Sequence, residues 1–411
     1  MNVLYIEHYA GTPALGMEYR PYYLAREWVR TGHRVQILAA SYSHVRAHQP
    51  VVGEQALNEV VDGISYRWYP TPPYGGNGVG RALNIWAFLR QVRRDAARLA
   101  ATFKPDVVIA SSTYPMDIWV ARRIARLARA KLVFELHDLW PLSLIELSGM
   151  SPYHPFALLC AKAERDACRD AEVVVSMLPK AQQHLVERGL DPARLHIVPN
   201  GIALDEWQGQ TASLSIEIAA HIDEQRAAGR TVVGYAGSHG LPNALDVLLD
   251  AAHALRDEPF AFVLVGDGLQ KQRLAQRVAR EGLDKVAMFA PVAKAQIPTL
   301  LASLDIAYIG WQRTPIYRFG IAPNKLMDYM MAGCAVLHSV DAGNDPVAEA
   351  RCGVTVAPES ADAVAQGLRQ LAALSAGERR AMGERGRAFV LAHHTYPVLA
   401  RRFLDACGLA A

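Results

Sequence analysis

The chain has 411 residues, 51% of them hydrophobic; at roughly 100–200 residues per domain, that is enough for two domains with their own cores. A formal net charge of +3 excludes the global basic surface of a nucleic-acid-binding protein. The five cysteines (Cys160, Cys168, Cys334, Cys352 and Cys407) are odd in number and form no Cys-x-x-Cys pair, which argues against a disulfide framework or a cysteine zinc site and fits a reducing cytoplasm. In chain order, Val3–Glu7 reads as a buried strand, without the basic-then-apolar pattern of a signal peptide. Gly11–Arg20 is a loop carrying Gly11 and Gly16, Pro21 opens a helix that ends near Gly32, and Val35–Ala40 is the next strand.

After the Pro/Gly-rich stretch Tyr69–Gly80, a helix is predicted over Arg81–Thr102. Strands follow at Asp106–Ala110 and Lys131–Leu136, about the basic helix Ile118–Ala130. Val173–Ser176 and Leu195–Val198 are the last strands of this half, with a short helix at Pro179–Arg188 between them. Pro199-Asn200-Gly201-Ile202 is a turn, and a polar helical connector reaches about residue 230. The alternation then restarts: strand Thr231–Ala236, helix Ala244–Leu255, strand Ala261–Val265, strand Val286–Phe289 after a helix, helix Ile297–Leu304, strand Ile306–Ile309, helix Asn324–Ala332, strands Ala335–His338 and Gly353–Val356. Helices Ala376–Ala392 and Pro397–Cys407 close the chain, the first N-capped by Ser375. No run of about 18 apolar residues occurs, so no membrane span is predicted.

Repeated β-α alternation predicts an α/β protein of two Rossmann-like open parallel sheets. The expected boundaries are 1–200 for an acceptor-side domain and 201–392 for a nucleotide-binding domain, with 393–411 a terminal helix packing back on the first. Ligands of such sheets bind outside the carboxyl ends of the strands, so two domains facing across a cleft would enclose a two-substrate site.

The strongest local feature is the run Ile321-Ala322-Pro323-Asn324-Lys325-Leu326-Met327-Asp328-Tyr329-Met330-Met331-Ala332-Gly333. Pro323 suits a first helical turn and Gly333 a helix stop. Asn324 and Asp328 share one face, four residues apart. A helix N-terminus attracts phosphate, Lys325 adds positive charge there, and Asp328 can accept hydrogen bonds from both hydroxyls of a ribose. The competing reading is a capped core helix with a solvated Asp and Lys.

This run resembles the nucleotide-binding helix of the GT-B glycosyltransferases, in particular the retaining glycosyltransferase family 4. Further stretches carry the resemblance along nearly the whole chain: Gly16-Met17-Glu18-Tyr19-Arg20-Pro21, Leu136-His137-Asp138-Leu139-Trp140-Pro141, Val198-Pro199-Asn200-Gly201 and Val265-Gly266-Asp267-Gly268. It implies a GT-B fold and retaining transfer from a nucleotide sugar. The similar bacterial transferases build O-antigen, capsule and colanic acid, commonly from UDP-linked N-acetylamino sugars, on polyprenyl-diphosphate-linked saccharides at the inner membrane.

Two departures stand out. The family's two glutamates, spaced Glu-x7-Glu, fall here on Gly320 and Asp328, so the first carboxylate is missing. The family's Arg and Lys after the first strand of the second domain are also missing from Gly237-Ser238-His239-Gly240-Leu241-Pro242-Asn243. The resemblance then assigns diphosphate binding to backbone and side chains of Gly237, His239, Gly240, Asn324 and Lys325, with Arg318 as a further candidate and Gly16 and Arg20 in a phosphate or acceptor role, and the nucleoside base to the stretch from Val292 to Lys294. His137, directly after the strand Lys131–Leu136, would reach hydroxyls of the transferred sugar, where an isolated histidine would otherwise be structural. Asp138 is a catalytic candidate or a cap for the loop after it, and Glu18 a weaker catalytic candidate.

No Asp-x-Asp occurs in the chain, so no metal or other cofactor is expected; fixed positive charge and helix dipoles would stabilise the leaving group. Arg81, Arg90, Arg93, Arg94 and Arg98 share a predicted helix with Ile85, Trp86, Phe88 and Leu89, which fits either peripheral attachment to an anionic membrane or an ordinary surface helix. Cytoplasmic location is the corresponding expectation, free or peripheral on the inner face of the plasma membrane. A nucleotide-sugar 2-epimerase of the same architecture and a non-catalytic glycan-binding partner are the alternatives.

Overall fold

The computed structural model describes residues 1–16, 19–76, 78–209 and 212–408. The chain divides into two compact units, one formed by Met1–Asn200 with the segment from Tyr396 onward, the other by Gly201–Thr395.

The first unit contains β1 (Asn2–Ile6), α1 (Arg20–Arg30), β2 (Arg34–Ala40), β3 (Leu57–Val61), β4 (Ile64–Tyr69), α2 (Val79–Thr102), β5 (Val107–Ala110), α3 (Ile118–Ala128), β6 (Lys131–Leu136), α4 (Leu142–Ser148), α5 (Pro155–Asp170), β7 (Val173–Ser176), α6 (Gln182–Glu187) and β8 (Leu195–Ile197). Its sheet has the order β3-β4-β2-β1-β5-β6-β7-β8. Every pairing is parallel except that of β3 with β4. Helices cover both faces, so β1 buries Val3, Leu4, Tyr5 and Ile6 without alternation. The chain leaves β1 toward β2 and returns on the other side at β5. The switch point therefore lies at the carboxyl ends of β1 and β5, where ligands of open sheets bind. The β3–β4 hairpin is an addition to the expected pattern. Its turn, Asp62-Gly63, has φ of +50° and +79°, the conformation an Asp-Gly pair adopts most readily.

The second unit contains α7 (Asp205–Gln208), α8 (Ile216–Ala227), β9 (Thr231–Ala236), α9 (Leu245–Ala254), β10 (Phe260–Val265), α10 (Lys271–Arg280), β11 (Val286–Phe289), α11 (Ile297–Ala302), β12 (Ile306–Gly310), α12 (Asn324–Met331), β13 (Ala335–Ser339), α13 (Pro346–Ala350), β14 (Gly353–Val356), α14 (Ala361–Ala372) and α15 (Ala376–His393). The sheet order is β11-β10-β9-β12-β13-β14, parallel throughout. Alternate residues of β9 feed two cores: Val232 and Ala236 join Leu326, Met327 and Met330 of α12, whereas Val233 and Tyr235 join Leu248 and Leu249 of α9. Here the switch point falls at the carboxyl ends of β9 and β12.

The last helix, α16 (Tyr396–Ala406), belongs to the first unit. Trp28 of α1 donates its indole N–H to Ala400 O at 3.0 Å and packs edge-on against Phe403. Tyr23 lies against Tyr396, and Lys131 donates to Cys407 O at 2.6 Å. All five cysteines are buried and reduced.

Candidate functional site

In the second unit, the switch point gathers the loop after β9, the start of α12 and the loop after β11. The aromatic ring of Tyr329 sets this arrangement. Its hydroxyl accepts from Ala236 N at 2.9 Å and donates to Ala236 O at 3.1 Å, fastening α12 to the end of β9. Pro323 is the N-cap of α12 rather than a first-turn residue, and no side chain caps the helix, so the amides of the first turn remain available to an anion. Asn324 is the exposed first residue.

Lys325 supplies the positive charge that the loop after β9 lacks. Its Nζ donates to Tyr235 Oη at 2.6 Å and to Asn243 Oδ1 at 2.9 Å, over the Tyr235 ring. Burial lowers its pKa to about 8. Gly237 makes this approach possible: with φ of +149°, a β-carbon there would stand 2.6 Å from Lys325 Cε and 3.0 Å from Nζ. Gly240 is half-buried at the start of the short turn Leu241–Asn243.

Asp328 lies one turn into α12, partly exposed. Burial pushes its carboxyl up to about 7, with Lys294 lowering it and Glu206 raising it. Lys294 pairs with Glu206 at 2.7 Å. The candidate ribose residue and the Val292–Lys294 stretch therefore share one electrostatic neighbourhood. Val292 itself is half-buried against the core that holds Met327.

His239 does not fit the role expected of it. It is wholly buried, its N–H donates to Asp267 O at 2.7 Å, and its carbonyl accepts from Gln270 N at 3.0 Å. Burial, and then Lys271, hold the imidazole neutral, down at about 4. It is a packing residue beneath Gly266 and Gly268, where a β-carbon would collide with Gly237 O or the His239 backbone.

The missing first carboxylate has a backbone cause. Gly320 has φ of +94° and ψ of 172°, a region essentially restricted to glycine. The loop also presses on Gly343, where a β-carbon would lie 2.2 Å from Arg318 O. Arg318 itself is exposed, with Nη1 on Pro315 O. Gly320→Glu should therefore fail to restore a donor contact and should cost about 1–3 kcal/mol of strain. For a unit of this size that corresponds to a Tm lower by roughly 2–12 °C. An unchanged melting curve together with faster transfer would contradict this.

In the first unit, the switch point holds a buried polar cluster. His137 follows β6, and its Nε2 lies 2.8 Å from Ser111 Oγ, 3.3 Å from Glu135 Oε2 and 3.8 Å from Glu7 Oε2. Ser111 Oγ is 2.6 Å from Glu135 Oε2, which also accepts from the Tyr5 hydroxyl. Glu135 Oε1 accepts from Arg20 Nε at 2.9 Å and Nη2 at 2.8 Å. Burial alone would raise the Glu135 carboxyl, but Arg20, then His137, hold it well below the usual carboxylate range.

This cluster corrects two expectations. Arg20 is buried; besides Glu135, its guanidinium donates to Val198 O at 2.8 Å and to Pro199 O at 2.6 Å, and lies 3.4 Å from Asn200 Oδ1. With its five N–H groups engaged, it is a brace between α1 and the end of β8, not a phosphate ligand. Asp138 caps its own loop: Oδ1 accepts from Leu139 N and the Ser143 hydroxyl, and Oδ2 from Trp140 Nε1. That is the structural role, not the catalytic one. Gly16 has φ of +73°, and a β-carbon there would stand 3.1 Å from Ala47 Cβ, so its close approach is to Ala47. Glu18 lies outside the described residues. Glu7, Ser111 and Glu135 escaped the sequence reading, although an acidic residue inside the apolar run Leu132-Val133-Phe134-Glu135-Leu136 was the available signal.

Residues 16–201 match the family model described as a glycosyl transferase 4-like domain, and residues 230–373 the one described as glycosyl transferases group 1. Among curated proteins, the chain is similar to one provisionally described as colanic acid biosynthesis glycosyl transferase WcaI of Escherichia coli (strain K12). The two are 24% identical over 274 residues, which span 65% of this chain and 66% of that protein. Among solved structures it is similar to sucrose-phosphate synthase from Thermosynechococcus elongatus, with a TM-score of 0.71, 15% identity, and coverage of 98% of this chain and 97% of that one. It is also similar to Anabaena HepE in complex with UDP, with a TM-score of 0.69, 16% identity, and coverage of 99% and 100%. The fold is GT-B.

Proposed function

Because the chain belongs to the group 1 glycosyltransferases, we propose that it moves a sugar from a UDP-linked donor, an N-acetylamino sugar, to a lipid-linked saccharide of a bacterial surface polysaccharide, retaining anomeric configuration and needing no metal. The observation that carries the donor reading is Lys325 Nζ, held at Tyr235 Oη beside the bare backbone of Gly237 at the uncapped start of α12. Fixed charge and free amides there would stabilise a leaving diphosphate. Asp328 would take both ribose hydroxyls. The structure of HepE with UDP and the name of WcaI support the nucleotide and the polysaccharide setting.

His137 would contact the donor sugar through Nδ1, since Nε2 faces Ser111, Glu135 and Glu7. In a front-face reaction the bond from C1 to the diphosphate oxygen breaks as the bond to the acceptor oxygen forms. The acceptor proton passes to the departing phosphate oxygen. No helix among the described residues is long and apolar enough to cross a membrane, and peripheral attachment through α2 is the proposed route to a lipid-linked acceptor. The test is transfer from UDP-linked N-acetylamino sugars in EDTA, with the product anomer read by NMR. An inverted product, loss of activity in EDTA, or donor isomerisation without acceptor would each overturn part of this reading.

Asp328 also sets a pH dependence. Ribose hydroxyls donate to the ionised carboxylate, whose pKa in the empty site is about 7. Affinity for UDP should therefore rise with pH through about 7 to a plateau that ends near 8, where Lys325 loses the charge that faces the diphosphate. At pH 6 about one molecule in ten is ionised, so UDP should bind about tenfold more weakly than at the plateau. Calorimetric titrations of the wild type and Asp328→Asn at several pH values check this. A step of equal size in both would assign it to UDP itself.

A further inference from the structure

In the buried cluster behind His137, the order of donors and acceptors fixes which ring nitrogen carries a proton. Ser111 Oγ has one proton to give. Glu135 Oε2 lies 2.6 Å from it and Glu7 Oε2 3.3 Å. An ionised carboxylate can only accept. Glu135 is ionised, because Arg20 holds its Oε1 through both Nε and Nη2, at 2.9 and 2.8 Å. In spite of burial, Arg20 and then His137 keep that carboxyl well below the usual range. The Ser111 proton therefore goes to Glu135. Toward His137 Nε2, 2.8 Å away, the same oxygen can only accept, so Nε2 must donate. The carboxylate oxygens of Glu135 and Glu7, 3.3 and 3.8 Å from Nε2, require the same.

The cluster behind the ring is sealed. Tyr5, Glu7, Arg20, Ser111 and Glu135 are at most 3% exposed, whereas the His137 side chain reaches the surface at 10%. A polar network that served packing alone would close on itself. This one ends on a ring whose Nδ1 makes no hydrogen bond to any described residue. With the proton on Nε2, neutral imidazole carries a lone pair at Nδ1.

We infer that Ser111 and Glu135, braced by Arg20, are positioning residues that hold His137 as the Nε2–H tautomer, with Nδ1 a bare acceptor for a hydroxyl or amide N–H of the transferred sugar. This rests on the sugar contact proposed above for His137 and gives it a direction: the sugar donates and the ring accepts. The other tautomer would turn an N–H toward the sugar and could not receive an amide N–H at all. Arg20, a brace between α1 and the end of β8, thereby acts on the sugar contact through two intervening side chains.

The test reads the ring directly. The full chain with nitrogen-labelled histidine gives a long-range proton–nitrogen correlation spectrum at a pH where the ring is neutral, and His137→Gln identifies the His137 signals. The expected pattern is a protonated Nε2 and a bare Nδ1; a protonated Nδ1 overturns the inference. Ser111→Ala leaves Nε2 only the oxygens at 3.3 and 3.8 Å. It should lower kcat for the UDP-linked N-acetylamino sugar that the wild type turns over by about tenfold or more, with UDP affinity unchanged. Ser111→Thr keeps the hydroxyl and should recover most of the loss. Wild-type kcat in Ser111→Ala overturns the positioning role. If that variant misfolds, the wild-type spectrum decides alone. Wild-type turnover in His137→Gln, with the expected ring pattern in the unaltered chain, would sink the sugar contact and leave the relay standing. A protonated Nδ1 in a protein that needs His137 for turnover would do the reverse.

Discussion

Replacing Asp328 by alanine is expected to weaken UDP binding about 10- to 100-fold, the loss of charge-assisted hydrogen bonds worth roughly 1.5–3 kcal/mol. The same change should not lower the melting temperature. Burial raises the Asp328 carboxyl to about 7. A carboxyl raised in the folded state favours folding when protonated, and that advantage is lost as pH rises from about 4 through about 7. Above pH 7 the ionised group is a net cost to the empty protein, and alanine removes it. Weak binding with an intact fold separates a ligand group from a structural one. UDP affinity unchanged in Asp328→Ala, by calorimetry, would sink the ribose assignment.

Arg20→Met is expected to behave in the opposite way. It removes one partner of a buried ion pair and strands Glu135, at about 3–5 kcal/mol. For a unit of roughly 200 residues that is a Tm drop of roughly 6–20 °C. The sign with pH is distinctive. Arg20 keeps the Glu135 carboxyl below its ordinary value, so its contribution is present above about pH 4.3 and is lost as pH falls toward the depressed folded value. The deficit of Arg20→Met should thus be largest near neutral pH and shrink in acid. Adding Glu135→Gln should recover stability, because no charge is then stranded. A melting curve for Arg20→Met that matches wild type at pH 7.5 would show that the pair contributes nothing.

Arg20 also shows where a sequence ceases to be readable. A positive residue beside a glycine loop looks like a phosphate ligand. Its partner stands 115 residues away on β6, and its carbonyl acceptors nearly 180 away at the end of β8. Neither separation leaves a local pattern. Two stretches that carried the resemblance separately, around Arg20 and around Val198-Pro199-Asn200, turn out to meet in one contact. By contrast α12 was legible almost to the residue, because Pro323, the apolar face and Gly333 are all local signals. The β9–β14 alternation was legible for the same reason. The β3–β4 hairpin was not, although Asp62-Gly63 marks its turn: Leu57–Val61 is largely exposed and lacks the apolar run that identified the other strands. Helices α4 and α5 likewise went unread. The polar cluster at His137 stayed hidden because its members come from β1, β5 and β6, and only the fold brings their ends together.

The terminal helix bears on how the protein is made. The carbonyl that accepts the Trp28 indole N–H belongs to Ala400, translated 372 residues after it. At 5–20 residues per second the nascent chain spends roughly 20–75 s with that flank of α1 uncovered. The second unit, contiguous from Gly201 to Thr395, has all its strands before the first unit has its last helix. Synthesis order and completion order are therefore inverted: the half that is translated first is the half that finishes last.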